Sequence, residues 1–133
     1  MAKRANTGHK NLVTDAAGDD FNSGKFRIYT GSQPASGDDA PTGSLLVEIT
    51  LPADAFSGAS GGVASKAGTW SAAASSGGVA GWFRMLNSAL SRSIDGNVTG
   101  TGGGGDLELS NTNIASGQTV TINTFTYTGA YGA

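Results

Sequence analysis

The fold is decided by the stretch Ala80-Gly81-Trp82-Phe83-Arg84-Met85-Leu86-Asn87. It is apolar on both alternating faces, which is typical of a strand in the middle of a sheet or under a subunit contact. Residues 82–94 could also be read at helical spacing. The adjacent Trp-Phe pair argues against a helix, and Asp95-Gly96 between two short runs is a type I′ hairpin signal. The stretch therefore predicts a central strand followed by a hairpin.

Further strands are predicted on both sides of this stretch. Residues 25–30 and 44–51 alternate in period two and are rich in β-formers. Residues 106–110 alternate in the same way. Residues 119–128 form a last strand, and a bulge near Asn123-Thr124 would explain why its large side chains change phase. Residues 31–43 hold two prolines and two aspartates and predict a long loop.

Residues 57–80 are a low-complexity stretch of glycine, alanine and serine. One interpretation is a flexible linker. The other is a pair of thin strands around residues 62–66 and 68–74. Trp70 favours the strands, because a lone tryptophan has little to contact in a linker.

The predicted fold class is all-β, an antiparallel β-sandwich with an extended N-terminal arm. Roughly seven to nine short strands with glycine-rich turns and no convincing amphipathic helix favour a sandwich, of which the jelly roll is one topology. Residues 1–24 are the predicted arm, with at most a short strand at residues 12–14. Residues 25–133 form the single sandwich domain. The expected core is Phe26, Ile28, Leu45, Val47, Ile49, Leu51, Phe56, Trp82, Leu107, Leu109, Val120 and Ile122.

Composition excludes several classes of function. The 133 residues suit one domain, and charged residues make up 14%, against the usual ~25%. The chain has no cysteine, which excludes thiolate chemistry. Its one histidine is His9, so a Ser-His-Asp site would have to use that residue. The net charge of −2 predicts no nucleic-acid partner, and no apolar run reaches the ~18 residues of a membrane span. Without a signal-peptide core, we expect a protein made and kept in a cytosol or released by lysis.

Short motif matches do not carry an enzymatic function. Residues 58–62 match G-x-S-x-G and residues 100–105 match G-x-G-x-x-G, but neither precedes a predicted helix as those sites require. The pairs Asp19-Asp20 and Asp38-Asp39 could ligate calcium, but they do not fit the calcium-loop pattern. We therefore predict no enzyme, no cofactor and no metal.

Two aromatic or basic groups have competing interpretations. Trp82 and Phe83 beside Arg84 could stack on sugars or bases, or they could be core with an arginine whose charged end reaches water. The basic residues of the arm could contact nucleic acid or could dock on an acidic neighbouring protein. The negative net charge favours docking on a protein.

Several short stretches together form a recognisable pattern over roughly residues 25–128. They are Phe26-Arg27-Ile28-Tyr29-Thr30-Gly31-Ser32-Gln33-Pro34, Ser44-Leu45-Leu46, Leu51-Pro52-Ala53-Asp54-Ala55-Phe56, Gly81-Trp82-Phe83-Arg84, Ile94-Asp95-Gly96, the stretch from Leu107 through Ser110-Asn111 to Ile114, and Gly117-Gln118. In these residues the chain resembles the small Gly/Ala/Thr-rich structural proteins of tailed bacteriophages, some of which are capsid cement (decoration) proteins. The basic arm and the glycine run at 102–105 are not part of the resemblance.

This resemblance implies a virion structural protein that binds the assembled head shell. The implied partner is the major capsid protein, the location is the capsid exterior after synthesis in the bacterial host cytoplasm, and a trimer or dimer is expected. Alternatives are a tail, neck or fibre component, or a carbohydrate- or cell-surface-binding module that uses Trp70 or Trp82. Shell contact is expected from the arm and from loop 31–43, with Lys3, Arg4, His9, Lys10, Asp38 and Asp39 as candidate residues.

Overall fold

The computed structural model describes residues 3–132, so Met1, Ala2 and Ala133, at the ends of the predicted arm and domain, lie outside it. Within the described residues the chain forms one helix and ten strands. These are α1 (Thr7–Asp19), β1 (Lys25–Thr30), β2 (Leu45–Thr50), β3 (Val63–Ser65), β4 (Trp70–Ala73), β5 (Gly78–Leu86), β6 (Ser93–Gly100), β7 (Leu107–Leu109), β8 (Asn113–Ile114), β9 (Thr119–Ile122) and β10 (Thr126–Thr128). The β-rich character predicted from the sequence is confirmed, but the chain is not all-β, because residues 7–19 are helical.

The largest sheet has the strand order β2-β1-β5-β6-β7, and β8 pairs with the first residues of β5. The predicted central position of β5 is confirmed, because β1 and β6 flank it on its two edges. Two smaller sheets pair β10 with β3 and β4 with β9. The pairs are antiparallel except β6 and β7, which run parallel. The largest sheet is therefore mixed, and the antiparallel-only prediction is wrong.

Aromatic stacks join β1 and β5 on both faces of the sheet. On the inner face, the rings of Phe26 and Phe83 stack with their centroids 4.6 Å apart. On the outer face, the rings of Tyr29 and Trp82 stack at 4.5 Å. All four side chains are buried, which explains why β5 is apolar in both phases of its alternation.

The predicted core is confirmed except at Leu45. Leu45 is only half-buried, and its neighbour Leu46 is fully buried instead. The pairing of β1 with β2 shifts between Ile28 and Tyr29, because Ile28 pairs with Val47 whereas Tyr29 pairs with Leu45. Leu46 is thus the extra residue of a β-bulge, and the bulge turns the Leu46 side chain toward the core.

The low-complexity stretch is ordered, so the linker interpretation is wrong. It contains the thin strands β3 and β4, which pair with strands near the C-terminus rather than with each other. Trp70 at the start of β4 is fully buried, and its ring centroid lies 5.7 Å from that of Phe26. Its indole Nε1 donates to the carbonyl of Ala67 at 3.1 Å. The tryptophan therefore anchors this alanine- and serine-rich segment to the core.

The last predicted strand is divided into β9 and β10. The two strands pair with different partners, β4 and β3, so the irregularity near Asn123-Thr124 is a break between two sheets and not a bulge within one. Phe125 follows this break and is buried, with its ring centroid 5.4 Å from that of Phe26. The phase change in the sequence marks the point where the chain crosses the core.

The extended arm predicted for residues 1–24 is wrong, because Thr7–Asp19 form α1 and not an arm with a short strand. The side chain of Asn6 caps the helix by accepting a hydrogen bond from the backbone N–H of His9 at 2.9 Å. The inward face of α1 is polar. The helix therefore lacks the apolar periodicity by which amphipathic helices are predicted.

Hydrogen bonds hold α1 against the body. Thr14 is fully buried, and its Oγ1 donates to the carbonyl of Gly62 at 2.7 Å and accepts from the N–H of Gly129 at 3.1 Å. Asn11 Oδ1 accepts from the N–H of Gly62 at 2.8 Å. Asp15 Oδ1 accepts from a backbone N–H in the same loop at 2.7 Å. The helix is thus fixed to a central loop and to the C-terminal segment.

The hairpin predicted at Asp95-Gly96 is also wrong, since both residues lie inside β6. Gly96 pairs with Phe83, and a Cβ at Gly96 would lie 2.5 Å from the phenylalanine ring. The glycine therefore makes room for the ring and does not form a turn. The chain reverses earlier, where Asn87 Oδ1 accepts from the N–H groups of Ser91 and Arg92 at 2.8 and 3.1 Å.

We predict that Gly81→Ala is strongly destabilising. A Cβ at Gly81 would lie 1.8 Å from the carbonyl oxygen of Gly31, so the backbone of β5 and that of the loop after β1 would have to separate. Urea denaturation should show a loss of about 3 kcal/mol in the free energy of unfolding. Gly58→Ala is the matched control, because nothing lies within 4 Å of a Cβ at Gly58. Equal stability of the two variants would contradict this register.

Candidate functional site

The structure separates the six candidate contact residues into two groups. Four lie at or before the N-terminal half of α1, where all but the half-buried Lys10 are exposed: Lys3, Arg4, His9 and Lys10. Asp38 and Asp39 are exposed in loop 31–43. Asp38 borders a cleft that also contains Asp20, at the opposite end of α1. A helix of 13 residues is about 20 Å long. The basic and acidic groups therefore do not form one site.

Loop 31–43 is fixed at its base. The indole Nε1 of Trp82 donates to the carbonyl of Thr42 at 3.2 Å. The hydroxyl of Thr42 donates across the loop to the carbonyl of Ser32 at 2.9 Å. The backbone N–H of Ser44 donates to Oγ1 of Thr30 at 2.9 Å. These bonds tie both ends of the loop to β1 and β5, the two strands that carry the aromatic stacks.

The tip of the same loop is held by its own side chains. Oδ2 of Asp39 accepts from the backbone N–H of Ser36 at 3.1 Å. The hydroxyl of Ser36 accepts from the backbone N–H of Asp38 at 3.1 Å. Such reciprocal bonds stabilise tight turns. The tip therefore presents Asp38 on an ordered and exposed turn.

Trp82 and Arg84 are parts of the scaffold. Trp82 is fully buried, and the guanidinium of Arg84 lies 5.5 Å from its ring centroid. Arg84 Nε and Nη2 donate to the two carboxylate oxygens of Asp95 at 2.7 and 2.9 Å. This hydrogen bonding raises the pKa of Arg84 above its usual value. The prediction that the charged end of Arg84 reaches water is wrong, because the side chains of Arg84 and Asp95 are only 8% and 6% exposed.

Four charged residues form a row across the largest sheet. Arg27 and Arg84 pair directly across β1 and β5, which would be repulsive for an isolated pair. Glu48 on β2 and Asp95 on β6 lie outside them. Arg27 Nε donates to Glu48 Oε2 at 2.7 Å, and Arg84 is paired with Asp95 as described. Each arginine therefore has a carboxylate partner on the neighbouring outer strand, and these partners offset the repulsion between the two arginines.

An open cleft of about 650 Å³ lies between the C-terminal end of α1, the tip of loop 31–43 and the turn before β6. Arg92 from that turn donates from Nε and Nη2 to the carboxylate oxygens of Asp20 at 2.8 and 2.6 Å. The hydrogen bond from Arg92 lowers the pKa of Asp20, and the same bond raises the pKa of Arg92. The pair joins α1 to the turn and borders the cleft, whose charged groups are largely balanced.

The glycine run at residues 102–105 is organised by a carboxylate. Glu108 Oε1 accepts from the N–H of Gly102 at 3.0 Å, and its Oε2 accepts from the N–H of Gly104 at 3.2 Å. Asn97 and Asp106 exchange two further bonds, from N–H of Asn97 to Oδ2 of Asp106 at 3.2 Å and from N–H of Asp106 to Oδ1 of Asn97 at 2.9 Å. Two backbone N–H groups of the glycine run therefore donate to one carboxylate, and these bonds hold the loop in a single conformation.

Sequence reasoning missed this use of Glu108 and the docking role of residues 58–62. The signal for the first is a carboxylate only a few residues after consecutive glycines, whose N–H groups no side chain obstructs. Residues 58–62 carry the rejected G-x-S-x-G match, and their backbone instead receives Asn11, Thr14 and Asp15 of α1. In residues 3–132 no cluster of His, Cys, Asp or Glu is arranged to hold a metal ion.

Comparison with protein-family models, with curated proteins and with solved structures finds no match for this chain. Over the part of the chain that the structure describes, no helix has the length and hydropathy to cross a membrane.

We predict that the Asp20–Arg92 pair contributes to stability only above acid pH. The pKa of Asp20 in the folded protein lies below its usual value, so its contribution is fully present above the unfolded value of about 3.9 and is lost as pH falls through the folded value. The free energy of unfolding should therefore be higher for wild type than for Asp20→Asn at neutral pH.

Urea denaturation at a series of pH values checks this prediction. The difference between wild type and Asp20→Asn should stay constant from about pH 5 to 7 and shrink below about pH 4. Asp54→Asn is the control, since Asp54 is exposed on a loop. A difference that persists undiminished in acid would contradict the assignment of the pKa change to Asp20.

Proposed function

We propose that this protein is a virion structural protein of tailed bacteriophages, a capsid cement (decoration) protein that binds the outside of the assembled head shell. Its partner would be the major capsid protein, and it would act as a dimer or trimer after synthesis in the bacterial host cytoplasm. The proposal starts from the resemblance over residues 25–128. The residues that carry it include residues 26–30 of β1 and residues 81–84 of β5, the two strands joined by the aromatic stacks.

The structural role of the charged residues is the observation that supports the proposal most strongly. The chain has few charged residues, and several of them fix backbone segments or join elements. Glu108 holds the glycine loop, Asp39 holds the tip of loop 31–43, and Asp15 holds α1. The buried Arg84–Asp95 pair joins β5 to β6. A protein that clamps a shell needs stiff exposed loops, because every residue ordered on binding costs free energy.

We also propose that the fold is a β-sandwich. The largest sheet forms one layer, and the β4–β9 pair lies across the core from it, with Trp70 against Phe26 between them. The backbone N–H of Ser75 donates to the carbonyl of Leu46 at 2.8 Å, which links β2 to the end of β4. A jelly-roll topology is not part of the proposal, because β6 and β7 are parallel and jelly rolls are built from antiparallel strands.

The proposed mechanism is thermodynamic linkage. A protein that binds the assembled shell but not its separated subunits stabilises the shell by RT ln(1 + [L]/Kd) at each site. The effect adds over the many symmetry-related sites of a shell. No reaction is required, and the small side chains and ordered loops of this chain suit contact with a broad protein surface.

The carbohydrate-binding alternative is not proposed. It required Trp70 or Trp82 at the surface, and both side chains are fully buried. A tail, neck or fibre component would need the same stiff body, so copy number must distinguish it from a cement protein.

We predict that this protein is abundant in purified virus particles. Quantitative mass spectrometry of particles from cells that make it should give on the order of one copy for every few shell subunits, as repeated sites on a symmetric shell require. A handful of copies per particle would move the function to the tail or neck. Absence from particles would overturn the proposal.

We predict that the tip of loop 31–43 contributes to shell binding. Asp38→Lys should lower occupancy on purified shells, because the charge is reversed on an exposed and ordered turn. Asp54→Lys reverses a charge on another exposed loop and is the matched control. Full occupancy by the Asp38 variant, measured by sedimentation with shells, would exclude this loop from the contact.

A further inference from the structure

A groove runs along one edge of β10. A cavity of about 440 Å³ lies between β10 and β6, and a second cavity of about 250 Å³ continues it toward β7. Phe83 and Ile94 contribute apolar residues to the lining of the larger cavity. The two cavities adjoin, because they share the lining residues Gly105, Asp106, Phe125 and Thr126.

The edge of β10 at this groove has no strand beside it. β10 pairs with β3 on its other edge, and no strand within residues 3–132 pairs with it here. The N–H of Lys66 donates to the carbonyl of Phe125, which shows that Phe125 directs its backbone groups toward β3. The bonding direction alternates along a strand, so the N–H and C=O groups of Thr126 and Thr128 point away from β3. Both threonines are exposed and line the groove.

The opposite wall of the groove is a second unpaired edge. β7 pairs with β6 only at Val98–Gly100, so the earlier residues of β6 have no strand of the described chain on that side. The N–H of Asn97 points away from β5 and donates to Oδ2 of Asp106 at 3.2 Å. The backbone groups of Asp95, two residues earlier, point in the same direction. The groove therefore lies between two strand edges, with an apolar lining between them.

The charged residues of the groove indicate what occupies it. Its lining includes Asp95, Asp106 and Glu108, but no lysine, arginine or histidine. Asp95 is neutralised by Arg84, whereas no ion pair within residues 3–132 includes Asp106 or Glu108. The bonds that these two carboxylates accept come from neutral backbone N–H groups. Their negative charges are therefore uncompensated and favour an occupant with positive charge.

We propose that this groove binds an extended basic peptide segment of another protein, which adds a strand to the free edge of β10. In this mode of recognition, main-chain hydrogen bonds supply affinity and pockets for alternate side chains supply specificity. Every second side chain of the segment faces the apolar lining. A lysine or arginine of the segment lies beside Asp106 and Glu108. The β10 edge carries neither a charge nor a proline, which are common protections against strand addition.

The inference does not rest on the proposed virion function. It assigns a binding site and a class of ligand, and its test uses the isolated protein with synthetic peptides. Loss of peptide binding would leave the copy number in particles unaffected. Absence of the protein from particles would equally leave peptide binding unaffected.

The first experiment titrates ¹⁵N-labelled protein with seven-residue peptides in which lysine or arginine alternates with valine, isoleucine or threonine. The amide resonances of Thr126 and Thr128 should shift, and hydrogen exchange at these amides should slow, because both N–H groups gain acceptors. The same peptides with every backbone nitrogen methylated should bind at least tenfold more weakly, since they keep their side chains but cannot donate main-chain hydrogen bonds.

The second experiment blocks the edge of β10 in the protein. Thr126→Pro removes an N–H that faces the groove and should raise the dissociation constant at least tenfold. The matched control is Thr119→Pro on β9, where an exposed threonine has its N–H directed away from β4 in the same way. The control should bind peptide as wild type does. Urea denaturation of both variants checks that each remains folded.

The third experiment tests the charge of the occupant. Asp106→Asn keeps an oxygen that can accept the N–H of Asn97 but removes the negative charge. It should weaken binding of the basic peptides about threefold at low salt, and Asp54→Asn should not. Peptides with glutamate at the basic positions should bind wild type at least tenfold more weakly than the basic peptides do.

Three results would overturn the proposal. The first is the absence of any resonance shift at Thr126 and Thr128 with millimolar basic peptide. The second is equal affinity of wild type and Thr126→Pro, or of plain and N-methylated peptides, which would exclude strand addition. The third is equal affinity for the basic and the glutamate peptides, which would exclude a basic segment as the occupant.

Discussion

The structure depends on the pair of aromatic stacks that join β1 to β5 on opposite faces of the sheet. The Phe26 ring lies at the centre of the inner cluster, where it contacts Phe83, Trp70 from the low-complexity stretch and Phe125 from the break between β9 and β10. The Tyr29–Trp82 stack covers the outer face and carries loop 31–43 through the indole N–H of Trp82. One central strand therefore organises a core on one side and an exposed loop on the other.

Polar side chains extend this order to segments that their composition alone would leave mobile. Glu108 accepts hydrogen bonds from two glycine N–H groups, and Thr14 bonds α1 to two segments that are far apart in the sequence. Each of these bonds is worth little on its own, on the order of 1 kcal/mol. A buried group left without its partner costs more, so the chain gains specificity from a small number of polar residues. This use of polar residues supports the proposed virion function, because a loop that is ordered before it binds loses less conformational entropy on binding.

Most of the sheet could be predicted from the sequence, because period-two alternation is strong in residues 25–30 and 44–51 and β5 is apolar throughout. Predictions failed where a tertiary contact overrode a local signal. Gly96 is required by the ring of Phe83 and not by a turn, and the bulge at Leu46 depends on a pairing shift that alternation cannot show. The helix was missed because its inward face is polar, although Asn6 as an N-cap before residues 7–19 is a recognisable start signal. The sequence shows which candidate contact residues are basic and which are acidic. Only the fold shows that the length of α1 separates the two groups.

The central claim is that exposed glycine- and proline-rich loops of this protein are ordered by a few hydrogen bonds to side chains, some within the loop and some on the sheet. Backbone ¹⁵N relaxation of the wild-type protein tests it most directly, at the amides of Ser36, Asp38, Gly102 and Gly104. These four N–H groups each donate to a side-chain oxygen. The account predicts order parameters near the value of about 0.85 found for rigid backbone. Values below about 0.6 at these amides, with rigid strands beside them, would contradict the account and the function proposed from it.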